Sequence, residues 1–423
     1  MRNYFLLIIL IFISALASSQ SFQESDLEPK QDSLKKRTLL TSLGNGYYPT
    51  KYFNFDLRYL IKYNQYEGVR TGLGGITNDA FSKRYRINSY VVYGFRDDRF
   101  KYSIGGGIRL AENSKTWINL SYTDDLQETG STNFLTDGRF FQFFEPRLLN
   151  IDLFHKHITT AVSVEHEINT HLISETEFAV SNINPTYNYG YLLDGEIFRS
   201  FHLSTLKTAI QWSPRDVLVV SDKGGIEKKL GYPKFTLQYT KSFNGILGSN
   251  FSFSKLDFRA THKIGDFKNA FSEIALVSGI TGGATPLTHL YHAYPNNITK
   301  ATILQRFSVA GLNSFETMYF NEFFSDKFVT FQFKHFLKPF NVSQRFKPQL
   351  VLISRYALGT IENAERHQNI SFGTLDKGFT ESGFEINKLL FGFGLSFTYR
   401  YGAYHLPEFE DNIAFKFTFN VTF

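Results

Sequence analysis

The sequence contains no cysteine among its 423 residues. This absence excludes disulfide bonds, thiolate metal sites, a cysteine nucleophile and a lipid anchor on an N-terminal cysteine. Long apolar runs are also absent: beyond the N-terminal segment, no stretch approaches the roughly 20 consecutive apolar residues that a transmembrane helix needs. The formal net charge of +6 is too small to predict nucleic-acid binding, and we expect no nucleic-acid partner.

The N-terminal residues have the pattern of a secretory signal peptide. Arg2 supplies a positive charge, residues 5–16 are apolar, and small residues follow up to Ser19. We therefore expect cleavage between Ser19 and Gln20, because the apolar run is too short to favour the alternative of an uncleaved anchor. The predicted organisation is a signal peptide over 1–19, a periplasmic leader or linker over 20–50 and a barrel over 51–423.

Aromatic residues are unusually abundant, with 46 Phe and 24 Tyr. The C-terminal segment 413–423 shows how they are arranged, because apolar and mostly polar positions alternate along it. The apolar positions are Ile413, Phe415, Phe417, Phe419, Val421 and Phe423. A period of two predicts a β-strand with one apolar and one polar face. About 9–11 residues suffice for a tilted strand to cross a bilayer, and a closed barrel removes the unpaired strand edge.

The same alternation recurs in fifteen earlier segments. They are 53–63, 68–78, 85–95, 100–110, 116–124, 158–166, 171–182, 202–213, 235–243, 253–264, 273–282, 328–336, 349–356, 383–388 and 391–401. With the terminal segment they predict an all-β fold, a transmembrane antiparallel β-barrel of about 16 strands, within a range of 14–18. Two long irregular regions, 125–157 and 283–326, interrupt the pattern, and the sequence leaves open whether they fold into the lumen.

Basic residues occupy the face opposite the aromatic one in the first and last predicted strands. The candidates for a basic lumen wall are Arg58, Lys62, Arg70, Arg84, Arg86, Lys101, Arg109, Lys334, Arg400 and Lys416. Rings of Arg and Lys favour anions in pores, so one interpretation is an anion-attracting lumen. The alternative is that these bases pair with interior acids such as Asp56 and Glu385, or with a loop folded inward.

The sequence offers few other candidates for metal-binding or catalytic residues. His155 and His157 would share a strand face, and His289 and His292 would share a helical face, but neither pair has an evident third metal ligand. The sequence contains no HExxH motif and no GxSxG motif. We therefore predict no metal, no cofactor and no catalytic residue. The segment 321–326 is either a binding site at the barrel rim or a strand-entry turn with its aromatic rings in the membrane interface.

A family resemblance is carried by motifs spread over the chain. They are 63–74 (Y-N-Q-Y-E-G-V-R-T-G-L-G), Thr77-Asn78, 81–84, Tyr93-Gly94, Lys101-Tyr102, 321–326, 381–383, 399–402, Leu406-Pro407 and Asp411-Asn412. With these motifs, residues 51–423 resemble an outer-membrane β-barrel family of unknown function common in Bacteroidetes. Its members usually carry a carboxypeptidase-regulatory-like domain before the barrel. Residues 20–50 are too few for that domain, so the resemblance implies a barrel-only member.

These observations predict an integral outer-membrane protein of a Gram-negative bacterium, a porin-like channel or transport component with a basic lumen wall. Two alternatives remain open: a structural or assembly partner with a plugged lumen, and an outer-membrane enzyme acting on lipid or envelope polymer. The expected partners are outer-membrane lipid and the barrel-assembly machinery, which we expect to recognise the C-terminal strand ending at Phe423. A looser similarity links the chain to barrels that insert or secrete other outer-membrane proteins, although it lacks their Arg-Gly-Phe or Arg-Gly-Tyr loop motif.

Overall fold

The computed structural model describes residues 45–111, 115–137, 146–220, 226–229, 231–266, 269–300, 308–343, 346–390 and 392–419. The predicted signal peptide, its cleavage site and the terminal Phe423 lie outside the described residues. Within them, sixteen long strands form one antiparallel sheet in which each strand pairs with its neighbours in the chain. We call these strands wall strands 1 to 16.

The wall strands have the following bounds. In order they are Phe53–Asp56 with Ile61–Asn64 (wall strand 1), Gly68–Thr77, Tyr85–Gly94, Arg99–Arg109, Thr116–Glu128, Phe154–Asn169, Leu172–Pro185, Phe201–Trp212, Lys234–Ser242, Phe253–Gly265, Phe271–Gly283, Lys327–Phe336, Gln349–Thr360, Phe379–Leu390, Phe393–Tyr401 and Ile413–Phe419. Shorter strands are Tyr47–Pro49, Gly190–Leu193, Glu196–Phe198, Val217–Val220, Ile226–Lys229, Pro295–Asn297, Ser308–Val309, Phe315–Tyr319 and His367–Gln368. The 3-10 helices are Leu57–Tyr59, Pro146–Leu149, Ile246–Gly248, Leu287–His289, Ala364–Arg366, Gly402–Tyr404 and Phe409–Asn412.

The predicted fold class, an all-β transmembrane antiparallel barrel of about sixteen strands, is confirmed. Each of the sixteen predicted segments overlaps one wall strand, the last of them over its described residues 413–419. The boundaries differ most where a strand continues past the alternating pattern, as at Phe154, where wall strand 6 begins four residues before the predicted start. Among the described helices, none combines the length and apolar character that a membrane span requires.

Alternating burial along the strands separates an apolar outer face from a lumenal face. Wall strand 13 illustrates this, because Ile353 and Arg355 are buried whereas Leu352 and Tyr356 are 45% and 39% exposed. Successive side chains of a strand point to opposite faces, so one face of this strand turns inward and the other outward. A continuous apolar outer surface is what a bilayer requires of a barrel, since lipid covers it.

Wall strand 1 departs from its predicted continuous form. The side chain of Asp56 accepts a hydrogen bond from the backbone N–H of Arg58 at 3.0 Å and thereby caps the 3-10 helix Leu57–Tyr59, which interrupts the strand. This turn brings Tyr59 onto the lumenal face, where its ring stacks on that of Tyr90 with centroids 4.3 Å apart. Strict alternation over 53–63 would put Tyr59 on the same face as Phe53 and Phe55, so the turn overrides the strand pattern at this residue.

Four long connections lie at one end of the barrel, whereas a fifth, 213–233, follows wall strand 8 at the other end. The connections 129–153, 186–200, 284–326 and 361–378 all follow odd-numbered wall strands, so the antiparallel order brings them together at what we call the loop end. The chain enters wall strand 1 and leaves wall strand 16 at the opposite end, which we call the turn end. Long loops on one side and mostly short turns on the other are typical of outer-membrane barrels, whose longer loops face the outside.

Two connections at the loop end, 186–200 and 361–378, build a small cap. Their short strands Gly190–Leu193 and His367–Gln368 pair with each other. The hydroxyl of Tyr189 lies 2.9 Å from Nδ1 of His367 in the core of the cap. Burial there lowers the pKa of His367 to about 4, and the neighbouring charge of Arg366 acts in the same direction. The imidazole is therefore neutral at pH 7.

Wall strand 16 carries an inserted segment on the edge that faces away from wall strand 15. Ser308–Val309 pairs with it in parallel, with Val309 opposite Phe417. The 3-10 helix Pro146–Leu149 contacts both this segment and the Ile61–Asn64 part of wall strand 1. In the part of the chain that the structure describes, these two interior segments bridge the first and last wall strands at a place we call the seam.

Candidate functional site: the plugged lumen

Two long connections fold back from the loop end into the barrel. We call the described residues of 129–153 the first plug loop and the described residues of 284–326 the second plug loop. In the first, the backbone N–H of Leu135 donates to Oε1 of Gln238 on wall strand 9 at 2.9 Å. In the second, Nζ of Lys334 on wall strand 12 donates to the carbonyl oxygen of Leu312 at 2.8 Å. Both wall side chains are buried, which answers the question that the sequence left open.

The second plug loop extends through most of the barrel. Gln332 and Lys334 lie in the last five residues of wall strand 12, close to the turn end, and bind the carbonyl oxygens of Asn313 and Leu312 at 2.6 and 2.8 Å. The loop itself starts and finishes at the loop end. The plug therefore occupies the lumen along nearly the length of the wall strands instead of covering one mouth.

The two plug loops hold each other. The hydroxyl of Tyr294 donates to the carbonyl oxygen of Thr132 at 2.6 Å, and the guanidinium Nε of Arg147 donates to the carbonyl oxygen of Pro295 at 3.1 Å. The same arginine forms an ion pair of 2.5 Å with Glu128 at the end of wall strand 5. These bonds make the two loops one body, which we call the plug.

The plug is attached to wall strands 13 and 14 by a buried carboxylate. Glu381 forms an ion pair of 2.6 Å with Arg355 of the neighbouring strand, and both side chains are fully buried. The same carboxylate accepts hydrogen bonds from the backbone N–H groups of Glu316 and Thr317, at 3.0 and 2.9 Å, and from the Thr317 hydroxyl at 2.6 Å. One wall side chain thus binds three donors of the plug.

Further ion pairs join the plug to the last two wall strands. Glu316 lies 3.1 Å from Nζ of Lys416 on wall strand 16, and both side chains are 1% exposed. Glu322 binds Arg400 of wall strand 15 at 2.7 and 3.1 Å. We call the set of Glu316, Glu322, Arg355, Glu381, Arg400 and Lys416 the latch. Its charges balance, which buried ions require.

Among the described residues, at least seven of the ten predicted lumen bases have an acidic partner. On wall strands 1 to 4 the pairs are Arg58 with Asp56, Arg70 with Asp125, Arg86 with Glu165 and Lys101 with Asp97. On the last wall strands they are Lys334 with Glu385 at 3.6 Å, Arg400 with Glu322 and Lys416 with Glu316. The bases thus form two groups, one neutralised by acids of the wall and one mainly by acids of the plug.

Lys62, Arg109 and Arg84 complete the set, and Lys62 and Arg109 both have interaction partners. Lys62 lines a cavity of about 280 Å³ together with Arg58 and Arg70. The guanidinium of Arg109 lies over the ring of Trp117 at 4.7 Å. Arg84 precedes wall strand 3 and is exposed at the turn end, so it is not on the lumenal face of a strand.

The histidines singled out from the sequence meet at the plug. His155, His157 and His289 line one chamber, where their ring Nδ1 atoms lie next to the hydroxyls of Thr129, Thr159 and Thr288 respectively. His292 instead lies 2.9 Å from Glu128. Among the described residues, no group of three His, Asp or Glu side chains could hold a metal ion.

The segment 321–326 belongs to the plug and not to the membrane interface. Phe323 and Phe324 are 6% and 1% exposed and pack in interior apolar clusters. Asp326 accepts a hydrogen bond from the backbone N–H of Glu362 at 2.7 Å. The interpretation of these rings as interfacial anchors was wrong, because the preceding loop turns inward and brings them with it.

Arg355 and Glu381, which form the shortest ion pair of the latch, were not among the candidate site residues singled out from the sequence. Arg355 occupies a lumenal position of a predicted strand, and Glu381 lies just before another predicted segment. A charged residue in the middle of a membrane strand was the available signal, because such a group needs a partner inside the barrel. Glu316, the partner of Glu381 on the plug, lies 65 residues earlier in the sequence, and the strand pattern carries no information about that contact.

Comparison with known families identifies the group to which this chain belongs. A family of unknown function (DUF5686), through its C-terminal domain, matches residues 40–272. The match covers more than half of the 423 residues, so the chain is a member of this family. No curated protein matches the sequence.

Two solved structures are similar in fold. BamA from Haemophilus ducreyi lacking POTRA domains 1-3 is 11% identical with a TM-score of 0.48, covering 96% of this chain and 80% of that one. CdiB from Acinetobacter baumannii is 10% identical with a TM-score of 0.43, covering 84% of this chain and 57% of that one. The barrel fold of this chain is defined by its own strand pairing.

Proposed function

We propose that this protein is a gated transport component of the Gram-negative outer membrane, closed at rest by its own plug. The observation that carries the proposal is the latch. The wall behind the plug presents Arg355, Glu381 and Lys416, whereas a lumen filled permanently would be more stable with apolar groups at such positions. A charged lumenal wall is compatible with a plug that moves out of the lumen, because water can then hydrate the charges that the plug had neutralised.

The location in the outer membrane is part of the proposal. It is supported by the apolar outer face, by the loop end with its cap, and by the signal peptide that the sequence predicts. Outer-membrane lipid and the barrel-assembly machinery remain the proposed partners, the latter through the C-terminal strand. The basic wall contributes by holding the plug and not by forming a ring of unpaired charge.

Single-channel conductance of the refolded full chain tests this proposal. We expect the wild-type protein to be closed and Glu316→Gln to open in voltage-dependent steps, because Lys416 then loses its buried partner. The matched control is Glu362→Gln, which removes an equal charge from an exposed pair with Lys327. A folded Glu316→Gln protein that never conducts would overturn the transport role.

A cross-link adds an independent test. Val309 and Phe417 are parallel strand partners, a geometry in which two cysteines can form a disulfide. Because the native sequence has no cysteine, Val309→Cys with Phe417→Cys would place the only thiols at the seam. Added to Glu316→Gln, the oxidised pair should suppress conductance and reduction should restore it. Equal conductance in both redox states would show that this segment does not move.

The seam supports a second candidate function, an assembly role. At the far edge of wall strand 16 lies the short parallel segment Ser308–Val309, and the backbone N–H of Ala310 donates to the carbonyl oxygen of Phe417 at 2.7 Å. A short edge segment of this kind can be exchanged for a strand of another chain, because strand edges are templates for pairing. The oxidised Val309–Phe417 pair should then lower the levels of other outer-membrane barrels in cells, with no dependence on conductance. If cells that carry only the cross-linked protein have unchanged levels of other outer-membrane barrels, this role is excluded.

A further inference from the structure

A chamber lies inside the barrel beside the plug. Its volume is about 290 Å³, and wall strands 5 to 10 line it together with both plug loops. Hydroxyl groups of Thr123, Thr159, Ser181 and Thr240 face it from the wall. The size suits a small molecule, and the lining offers many hydrogen-bond donors that any occupant could use.

The acidic groups of the chamber already have partners. The Asp257 carboxylate accepts a hydrogen bond from the hydroxyl of Tyr291 at 2.6 Å and another from Gln238 at 3.4 Å. Glu177 lies 3.5 Å from Nζ of Lys207. Both carboxylates therefore already have partners, and neither is available to bind an additional cation in the chamber.

Lys255 on wall strand 10 is the exception among the charged groups of the chamber. Its side chain lines the chamber, the residue is only 7% exposed, and none of the described residues forms a hydrogen bond or ion pair with its ammonium group. The ring of Tyr291 contacts the ammonium group, with its centroid 4.3 Å from Nζ. A ring face stabilises a cation but leaves the three N–H donors unused.

The geometry points to a binding site for a small oxyanion in this chamber, and we propose that Lys255 is its central ligand. Phosphate or carboxylate oxygens would accept hydrogen bonds from the ammonium and from nearby hydroxyls such as Thr159 and Thr240. Lys207 supplies a second positive charge from wall strand 8, two strands away in the sheet, and the imidazole groups add further donors. This site is separate from the latch and does not require the plug to move, so it stands independently of the gating proposal.

Calorimetric titration of the detergent-solubilised full chain tests this site, with inorganic phosphate as the first probe and succinate as the second. We expect at least one of them to bind with a stoichiometry near one. Lys255→Gln should weaken binding by about tenfold or more, whereas Lys255→Arg, which keeps the charge, should retain most of it.

The control for lost charge is Lys241→Gln on adjacent wall strand 9. Lys241 lies outside the chamber, where its Nζ binds Ser252 and Ser254 at 3.2 Å, so binding should not change. Preference for phosphate over succinate identifies a phosphate-bearing ligand, and the reverse identifies a carboxylate. The proposal is overturned if neither anion binds at millimolar concentration, or if folded Lys255→Gln, with wild-type thermal unfolding, binds as tightly as the wild type.

Discussion

Replacement of Glu381 by Gln should release the plug while the wall stays folded. The carboxylate is fully buried and neutralises Arg355, and it also accepts three hydrogen bonds from Glu316 and Thr317. The amide of Gln carries no charge, and its NH₂ group would face a donor where the carboxylate oxygen accepted one. Removal of one partner of a buried ion pair costs about 3–5 kcal/mol.

This cost should appear as local opening, because the lost contacts join the plug to the wall and do not join strands to each other. Amide hydrogen exchange in detergent micelles measures it directly, since Glu316 and Thr317 donate their own N–H groups to Glu381. About 1.4 kcal/mol corresponds to a factor of ten, so we expect exchange of this segment to accelerate by roughly 2 to 3.5 orders of magnitude. Exchange in wall strands 2 to 8 should not change.

Two further variants make this prediction refutable. Glu362→Gln removes a carboxylate from an exposed pair and should leave exchange of the plug unchanged. Arg355→Met combined with Glu381→Gln should be less harmful than Glu381→Gln alone, because the uncompensated buried charge is gone. If the plug of a folded Glu381→Gln protein exchanges as slowly as that of the wild type, the latch does not hold the plug.

Two other predictions concern the cap and the wall. Burial beside Tyr189 lowers the pKa of His367 to about 4 in the folded cap, so below pH 6.5 the unfolded cap binds more protons than the folded cap. The stability of the cap should therefore be complete above pH 6.5 and lower by about 2–3 kcal/mol at pH 4.5. Exchange of the cap measured at both pH values checks this, and His367→Gln should remove the dependence. Gly383→Ala should lower the unfolding temperature, because its new Cβ would lie 2.0 Å from the carbonyl oxygen of Phe397, whereas Gly282→Ala meets no atom within 4 Å and should be neutral. Equal thermal unfolding of the two alanine variants would contradict this reasoning.

The wall could be predicted from the sequence because its determinants are local. Alternation such as that from Ile413 to Phe419 reports which side of a strand meets lipid, and it needs no knowledge of the partner strand. The exception is Tyr59, where the cap from Asp56 to the N–H of Arg58 overrides the alternation within a few residues. An Asp at such a position is a recognisable turn signal, although it competes with the strand pattern around it.

A barrel wall of sixteen strands and a set of bases for its lumenal face follow from the amino-acid sequence alone. The partners of those bases follow from the packing of distant segments. Lys416 and Arg400 bind Glu316 and Glu322, which lie in a loop about 80–100 residues earlier in the chain. The period of a strand follows from backbone geometry, whereas the partner of a buried charge depends on where a long loop packs. For the same reason the chamber beside Lys255 could not be anticipated, since six wall strands and two loops must come together to form it.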